Sequence, residues 1–270
     1  MDDCQNPSEP TIQQLFDLTG RVAVVTGGCG HLGSAMCRAL AEAGASVVVT
    51  SRDSKRACEL AKTLPCKGAA RHFGIALDHM QPDSLALSFQ EALSHTGKID
   101  ILVNNGHEPV GADWSTVTAE EFSRQLANLT GYFVLSKLLR DHAAGNKAPA
   151  SVILLGSMYG VVGSYPDAYT GISIASPVAY HALKGGIVQM TRHLAVYWAK
   201  DRVRVNCLSP GPFPGPVAPA ELVERLVQKS PMGRMGVPSE LKGSLVFLAS
   251  DASSYLTGQN LIVDGGWTAW

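Results

Sequence analysis

Short apolar runs alternate with helical patterns along this chain. The runs are rich in valine, isoleucine and leucine, and between them apolar positions repeat with the period of an α-helix. Strands joined through helices are typical of βαβ units, so the pattern predicts an α/β fold with parallel strands. The predicted strands are Arg21–Thr26, Ser46–Thr50, Arg71–Leu77, Lys98–Val103, Ser151–Leu155, Arg202–Cys207 and Asn260–Val263. The predicted helices are Ser34–Ala43, Ser54–Leu64, Pro82–Ser94, Thr118–Ala144, Val178–Lys200, Ala220–Lys229 and Ser239–Ser250.

A glycine-rich turn, Gly27-Gly-Cys-Gly-His-Leu-Gly33, joins the first predicted strand to the first predicted helix. Glycine has no Cβ, so the backbone can turn sharply and approach a pyrophosphate, whose charge then lies at a helix N-terminus. The strand before this turn and the helix after it are the context of a dinucleotide-binding fingerprint; a tight turn that serves packing alone is the alternative. The predicted contacts here are Thr26, Gly27, Gly28, Gly30, His31, Leu32 and Gly33.

The end of the second predicted strand, Thr50-Ser51-Arg52, predicts the choice of cofactor. At this place a carboxylate accepts hydrogen bonds from the 2′-hydroxyl of NAD, whereas an arginine can clamp the 2′-phosphate of NADP. Because no carboxylate precedes Asp53, the sequence favours NADP over NAD, with Ser51 and Arg52 as contacts. A solvated loop cation is the alternative for Arg52.

Three further strand ends carry residues that point to the same site. The third predicted strand ends at Asp78, the fourth at the turn Asn104-Asn105-Gly106, and the sixth leads to Pro210-Gly211. In open parallel sheets a cofactor binds beyond these carboxyl ends. The prolines from Pro210 to Pro216 exclude regular structure, and this loop is predicted to be a lid beside the crevice or a cover for the sheet edge.

Tyr180 and Lys184 lie four residues apart on one face of a predicted helix. A lysine cation stabilises a nearby tyrosinate and draws the pKa of the phenol down from its ordinary value of about 10. The pair therefore predicts a general acid and base, although this spacing alone is a weak signal. In the helix over Thr118–Ala144, Asn128 either bonds locally or has a function, because asparagine is a poor interior residue of helices.

The composition is that of an ordinary globular protein. It is 46% hydrophobic and 17% charged, with 22 basic and 23 acidic side chains, and nothing in that balance suggests nucleic acid or a membrane surface as a partner. The length of 270 residues suits one large domain or two small ones, and the composition favours one. We expect a flexible tail over residues 1–17 and one domain over residues 18–270.

The six cysteines are scattered without a C-x-x-C pair, which indicates reduced thiols and neither a disulfide framework nor a metal site. The segment Met1–Thr11 is polar and acidic, unlike a signal peptide. Together these features predict a cytoplasmic location.

Taken together, these motifs resemble the short-chain dehydrogenase/reductase family from about Leu18 to Trp267. Besides the turn, the strand ends and the Tyr180–Lys184 pair, the resemblance includes Ser157, Leu256-Thr-Gly-Gln259 and Val263-Asp-Gly-Gly266. It implies a single Rossmann-type domain with a doubly wound sheet of about seven parallel strands. It also implies a homotetramer and an enzyme that interconverts a secondary alcohol and a ketone.

The resemblance implies a role for each residue of the site. Tyr180 would be the general acid and base, and Lys184 would lower its pKa and hold the nicotinamide ribose. Ser157 would bind the substrate oxygen, and Asn128 would position a water behind Lys184. Asp78 would face the adenine and Asn104 the adenosine ribose, with Asn105, Gly106, Pro210 and Gly211 as further cofactor contacts.

This chain departs from the family pattern in three places. His31 stands where the compact branch usually has glycine, and the threonine often found after Pro210-Gly211 is missing. Ser157 and Tyr180 are also unusually far apart, with an insert within Gly163–Pro177. The insert shapes specificity at the substrate mouth, or else it is a surface embellishment or oligomer contact.

Resemblance to sugar-acid 5-dehydrogenases and the polar, tyrosine-rich insert suggest a sugar acid or another polyhydroxylated substrate. A 3-oxoacyl thioester reductase is the competing enzyme hypothesis. A dinucleotide-binding regulatory protein without turnover is the alternative of another class.

Overall fold

A computed structural model describes residues 9–270 and has a seven-stranded parallel sheet at its centre. The strand order is β3-β2-β1-β4-β5-β6-β7, and every neighbouring pair is parallel. This confirms the predicted single-domain α/β fold. The strands are β1 (Val22–Val25), β2 (Ser46–Ser51), β3 (Phe73–Ala76), β4 (Ile101–Asn104), β5 (Ala150–Leu155), β6 (Val203–Pro210) and β7 (Asn260–Val263).

Helices cover both faces of the sheet. The α-helices are α1 (Ile12–Phe16), α2 (His31–Glu42), α3 (Ser54–Thr63), α4 (Pro82–Thr96), α5 (Ala119–Gly145), α6 (Pro166–Tyr169), α7 (Val178–Trp198), α8 (Ala220–Val227) and α9 (Lys242–Ala249). Four 3₁₀ helices span Met158–Gly160, Ala199–Asp201, Pro238–Leu241 and Asp251–Ser253.

Alternate residues of each strand point into two separate cores. Along β1, Val22 and Val24 pack on the side of α4, α5 and α7, whereas Ala23 and Val25 pack on the side of α2, α3 and α9. This two-sided burial explains why the strands read as continuous apolar runs.

The order of connections reverses at β1, whose neighbours are β2 on one side and β4 on the other. Loops that leave the carboxyl ends of two such strands diverge and leave a crevice between them. The crevice therefore opens where the glycine turn follows β1 and the Asn104-Asn105-Gly106 segment ends β4.

Two short helices lie where the sequence predicted none. Helix α1 falls within the predicted tail, and there Thr11 forms a capping box with Gln14 while the Phe16 ring lies 6.3 Å from that of Phe247. Helix α6 lies within the insert. The rest of the tail prediction, with Cys4, concerns residues 1–8, which lie outside the described residues.

The C-terminal tryptophans separate into one buried and one exposed side chain. Trp267 is 2% exposed and packs beside Tyr165, whereas Trp270 is 73% exposed.

Within residues 9–270, no helix has the length and apolar character needed to cross a membrane. The same residues contain no group of three or more His, Cys, Asp or Glu side chains arranged to hold a metal ion.

Candidate active site

A cavity of about 550 Å³ lies at the carboxyl ends of the strands. It is bounded by the glycine turn, the ends of β2 and β3, the loop after β4, the end of β5, helix α7 and the start of the loop after β6. Fifteen of the predicted site residues line it: Gly27, Gly30, His31, Leu32, Gly33, Ser51, Arg52, Asp78, Asn105, Gly106, Ser157, Tyr180, Lys184, Pro210 and Gly211.

The glycine turn is built so that side chains cannot fill it. Gly27 has a φ of +60°, and a Cβ there would lie 2.9 Å from the Cα of Gly106. A Cβ on Gly33 would collide with the carbonyl oxygen of Gly27. Gly30 precedes α2 and makes no side-chain cap, so the N–H groups of the first helical turn remain available to an anion. This shape fits the pyrophosphate of a dinucleotide.

Thr26 and Gly28 do not reach the crevice and have structural roles instead. The Thr26 hydroxyl accepts hydrogen bonds from the backbone N–H groups of Asn105 (2.9 Å) and Gly106 (2.8 Å). Gly28 packs so closely that a Cβ would lie 2.8 Å from a methyl carbon of Val49. These two residues hold the glycine turn against neighbouring segments of the protein and do not line the cavity.

Asn104, predicted to lie by the adenosine ribose, also points away from the crevice. Its side chain is fully buried and donates to the hydroxyl of Ser136 (3.0 Å) and the carbonyl of Tyr132 (3.3 Å) on α5. Successive residues of a strand face opposite sides, so Asn104 points towards α5 while Asn105 lines the cavity.

The Asn128 side chain holds a loop and has all its hydrogen bonds to protein groups. Its Oδ1 accepts from Nε2 of His79 and from the backbone N–H of Glu108, both at 2.8 Å. Its Nδ2 donates to the carbonyls of Glu108 (3.0 Å) and Gln125 (2.9 Å). These four bonds fix the loop after β4 and occupy the whole carboxamide, so this side chain has no hydrogen bond left for the water that the resemblance implied.

Ser157 and Tyr180 come together in the cavity although the insert separates them in sequence. Ser157 follows β5, and its hydroxyl accepts from the N–H of Tyr159 at 3.2 Å. Its side chain also lies close enough to the Tyr180 phenol to affect its pKa. Burial raises the pKa of Tyr180 above its ordinary value of 10, while the nearby Ser157 hydroxyl opposes the rise. The phenol is therefore protonated at neutral pH, which suits a general acid.

Lys184 lies one turn along α7 from Tyr180 and is almost fully buried. Its Nζ donates to the carbonyl of Leu155 at 2.7 Å and lies 5.5 Å from the centroid of the Tyr180 ring. Burial lowers the pKa of Lys184 to about 8. In this structure burial raises the pKa of Tyr180, which is the opposite direction to the lowering that the sequence predicted.

Nine cavity residues were not predicted from the sequence: Cys29, Arg56, Leu77, His79, His107, Glu108, Leu155, Gly156 and Phe213. Most of them are next to a predicted residue in the chain, so the rule that strand ends line the crevice could have found them. Arg56 is different, because it reaches the cavity from the first turn of α3.

The insert packs against α8, and hydrogen bonds and an ion pair join the insert to α8 and the residues just after it. Arg225 on α8 donates to the carbonyls of Thr170 (2.7 Å) and Asp167 (3.2 Å), and Lys229 forms an ion pair with Asp167 at 2.7 Å. Within the insert, the hydroxyl of Tyr169 lies 2.8 Å from that of Tyr159. The insert is thus anchored both to the loop after β6 and to the segment that follows Ser157.

The parallel sheet, the dinucleotide cradle and the Ser157–Tyr180–Lys184 cluster define an oxidoreductase that uses a nicotinamide dinucleotide. A family model described as enoyl-(acyl carrier protein) reductase matches residues 30–268. The chain belongs to the short-chain dehydrogenase/reductase family.

Curated relatives match nearly the whole chain. D-arabinitol 2-dehydrogenase (ribulose-forming) of Scheffersomyces stipitis is 33% identical, and the match covers 94% of this chain and 96% of that one. Galactitol 2-dehydrogenase (L-tagatose-forming) of Cereibacter sphaeroides is 34% identical, with 95% and 98% covered.

The fold is also similar to solved structures. One is a gluconate 5-dehydrogenase from Burkholderia cenocepacia in complex with NADP and tartrate, with a TM-score of 0.85 and 28% identity. The comparison covers 96% of this chain and all of that one. These relatives support NAD(P)-dependent interconversion of a secondary alcohol and a ketone, and favour it over the 3-oxoacyl reductase and the regulatory hypotheses.

Proposed function

We propose that this protein is an NADP-dependent enzyme that oxidises a secondary hydroxyl group of a polyhydroxylated small molecule, or reduces the corresponding ketone. The observation that carries this proposal is the convergence of Ser157, Tyr180 and Lys184 on the cavity that the glycine turn also lines. The fold and the relatives support the reaction class.

The chain's own residues perform the proton chemistry. In reduction, the protonated Tyr180 hydroxyl gives its proton to the carbonyl oxygen; in oxidation, the tyrosinate takes the proton of the alcohol. Ser157, which lines the same cavity as Tyr180, holds the same substrate oxygen. A bound nicotinamide ring supplies or accepts the hydride. Lys184 is the buried cation beside this phenol and favours its ionised form when a proton leaves.

Two arginines and a serine support NADP as the cofactor. Ser51 is the last residue of β2 and Arg52 follows it, while Arg56 lines the same cavity from the first turn of α3. A 2′-phosphate placed there would meet two guanidinium groups and a hydroxyl, all of which bind phosphate well. A carboxylate is also near, because Asp53 caps α3, but its Oδ1 accepts from the N–H groups of Lys55 (2.9 Å) and Arg56 (3.3 Å).

The relatives and the insert support a polyhydroxylated substrate. The relatives named above are dehydrogenases of arabinitol, galactitol and gluconate. In this chain Tyr159 and Tyr169 bring two hydroxyl groups close to the catalytic helix, and Tyr169 is near enough to influence the pKa of Tyr180. We propose that the insert forms part of the substrate mouth.

The test is an assay of the purified protein against polyols, ketoses and sugar acids with NADP(H) and NAD(H). We expect turnover of at least one polyol–ketose pair with preference for NADP. Tyr180→Phe should reduce kcat at least about 100-fold while cofactor affinity is retained, because the phenol proton is needed only for the chemistry. Full activity of this variant would refute the mechanism.

We also propose a homo-oligomer and a cytoplasmic location. Phe133 on α5 and both Val196 and Tyr197 on α7 are exposed apolar side chains on helices that pack together. Sedimentation of the purified protein tests the assembly, with a tetramer as the expected species.

A further inference from the structure

A histidine that no motif predicted stands beside the catalytic tyrosine. His107 follows Gly106 in the loop after β4, and it lines the cavity. Its ring centroid lies 5.4 Å from that of Tyr180, at an interplanar angle of 69°. An edge-to-face contact of this kind places the imidazole next to the group that transfers the proton.

The orientation of the imidazole is fixed by Gln125 on α5. The backbone N–H of Val110 donates to Oε1 of Gln125 at 2.7 Å, so the amide nitrogen is the end that faces His107. That nitrogen lies 2.7 Å from Nε2 of the imidazole. Since an amide nitrogen donates and does not accept, Nε2 must be the acceptor, and the neutral ring carries its proton on Nδ1.

The same loop is held from a second position of α5. Asn128 lies one turn after Gln125, and it bonds both the N–H and the carbonyl of Glu108. Both of these α5 side chains are 1% exposed, so two buried polar groups are used to set the position of one loop. A side chain that binds a ligand needs neighbours that hold it in one position, and these two groups hold the loop that carries His107.

The imidazole is an uncharged donor. Burial, then the nearby Lys184 and His79, lower the pKa of His107 to about 3. Among the described residues, no protein group forms a hydrogen bond with Nδ1. A neutral N–H of this kind suits the lone pair of a hydroxyl or carbonyl oxygen, whereas a carboxylate would gain more from a cation.

We propose that His107 is a specificity-determining residue, whose Nδ1–H donates to the oxygen on the carbon next to the reacting carbon. Tyr180 and Ser157 hold the reacting oxygen, and the His107 ring contacts Tyr180, so the adjacent substituent lies within its reach. The inference rests on the proposed function and narrows it. The preferred substrates are vicinal diols and α-hydroxy ketones rather than simple alcohols.

Binding is tested first, on enzyme loaded with whichever of NADP⁺ and NAD⁺ binds more tightly. Galactitol is titrated by ligand-observed NMR into the wild type, His107→Asn and His107→Leu. Asparagine has an N–H donor close to the backbone, as histidine has at Nδ1. Leucine is similar in size and has no donor. We expect the leucine variant to bind galactitol about tenfold more weakly and the asparagine variant to stay within about threefold.

Activity gives the second readout, as the ratio of kcat/KM for 2,3-butanediol to that for 2-butanol. The wild type should favour the diol about tenfold, and His107→Leu should bring the ratio close to one. An equal fall for both alcohols would show a merely structural role and overturn the inference. Circular dichroism and cofactor titration verify the fold, and His107→Ala replaces the leucine variant if that one does not fold.

The two proposals fail in different ways. If the wild type turns over no alcohol or carbonyl, the proposed function is wrong, and the NMR titration still decides the role of His107. Equal binding of galactitol by the wild type and the leucine variant, or no polyol binding by the wild type, overturns the inference even where turnover is found.

Discussion

Arg52 and Glu108 form an ion pair across the crevice, with Nη1 of the arginine 3.3 Å from Oε2 of the glutamate. The pair connects the end of β2 to the loop after β4. Glu108 is also bound by Arg124 on α5, whose Nε donates to Oε1 at 2.9 Å. The cation that the sequence assigned to a 2′-phosphate therefore has a carboxylate partner within the protein.

Removing the arginines should change cofactor choice. Arg52→Ala and Arg56→Ala should each weaken NADP⁺ binding about tenfold or more and leave NAD⁺ binding nearly unchanged, because only the 2′-phosphate loses a charged partner. Fluorescence titration with both cofactors measures this. Arg192→Ala, at an exposed position on α7, is the matched control. Equal losses for the two cofactors would refute the NADP assignment.

Removing the carboxylate should have the opposite effect. Glu108→Gln keeps the size of the side chain, frees Arg52 and removes a negative charge from the crevice. We expect NADP⁺ affinity to rise about threefold to tenfold, and the rise should shrink at high salt because exposed charges are screened. Titration at two ionic strengths tests this. Unchanged affinity at low salt would mean that the ion pair does not compete with the cofactor.

The buried Lys184 should make stability depend on pH. Its pKa is about 8 in the folded protein against an ordinary value of 10.5. Between these values the unfolded chain binds a proton that the folded chain has lost, so stability rises with pH across this window. The free energy of unfolding should rise by about 3 kcal/mol between pH 8 and pH 10.5, as an upper bound on this one group.

Urea unfolding of wild type and Lys184→Met tests this behaviour. The methionine variant lacks the ammonium, so its stability should lack this rise, and its activity should be lost. Lys137→Met, at an exposed position on α5, is the control and should follow the wild type. Parallel pH profiles for the wild type and Lys184→Met would contradict the assignment.

The contacts between α8 and the insert should control the substrate mouth. Arg225→Ala removes both hydrogen bonds to the insert carbonyls, which should raise KM for the substrate about threefold to tenfold without changing cofactor affinity. The insert should also become more sensitive to limited proteolysis. Glu221→Gln is the control, since Glu221 pairs with Arg225 on the same helix and does not bond the insert. Unchanged KM and proteolysis in Arg225→Ala would place the insert outside the substrate mouth.

The fold was predictable because burial on both faces makes each strand a continuous apolar run. All seven predicted strands and all seven predicted helical segments are present, although Ser239–Ser250 divides into a 3₁₀ turn and α9. Helices α1 and α6 were not predicted because five and four residues are too few to show a helical period.

Site residues whose function depends on the shape of the backbone could be predicted from the sequence. Those whose function depends on where the side chain points were harder to predict. Gly27 and Gly33 follow from the geometry of a turn. Asn104 and Asn105 are neighbours with the same side chain, yet they point to opposite sides of β4, and no motif distinguishes them. His107 was missed for a related reason, since its position depends on Gln125, a residue 18 places away on another element.

The bonds from Arg225 and Lys229 to the insert also bear on how this enzyme can be re-engineered. Two segments that are more than 50 residues apart in the chain are exchangeable only as a matched pair. A chimera that takes the insert from a relative but keeps its own residues 220–229 would lose the Asp167 carboxylate that Lys229 binds. Transplanting both segments together is the design that preserves these contacts.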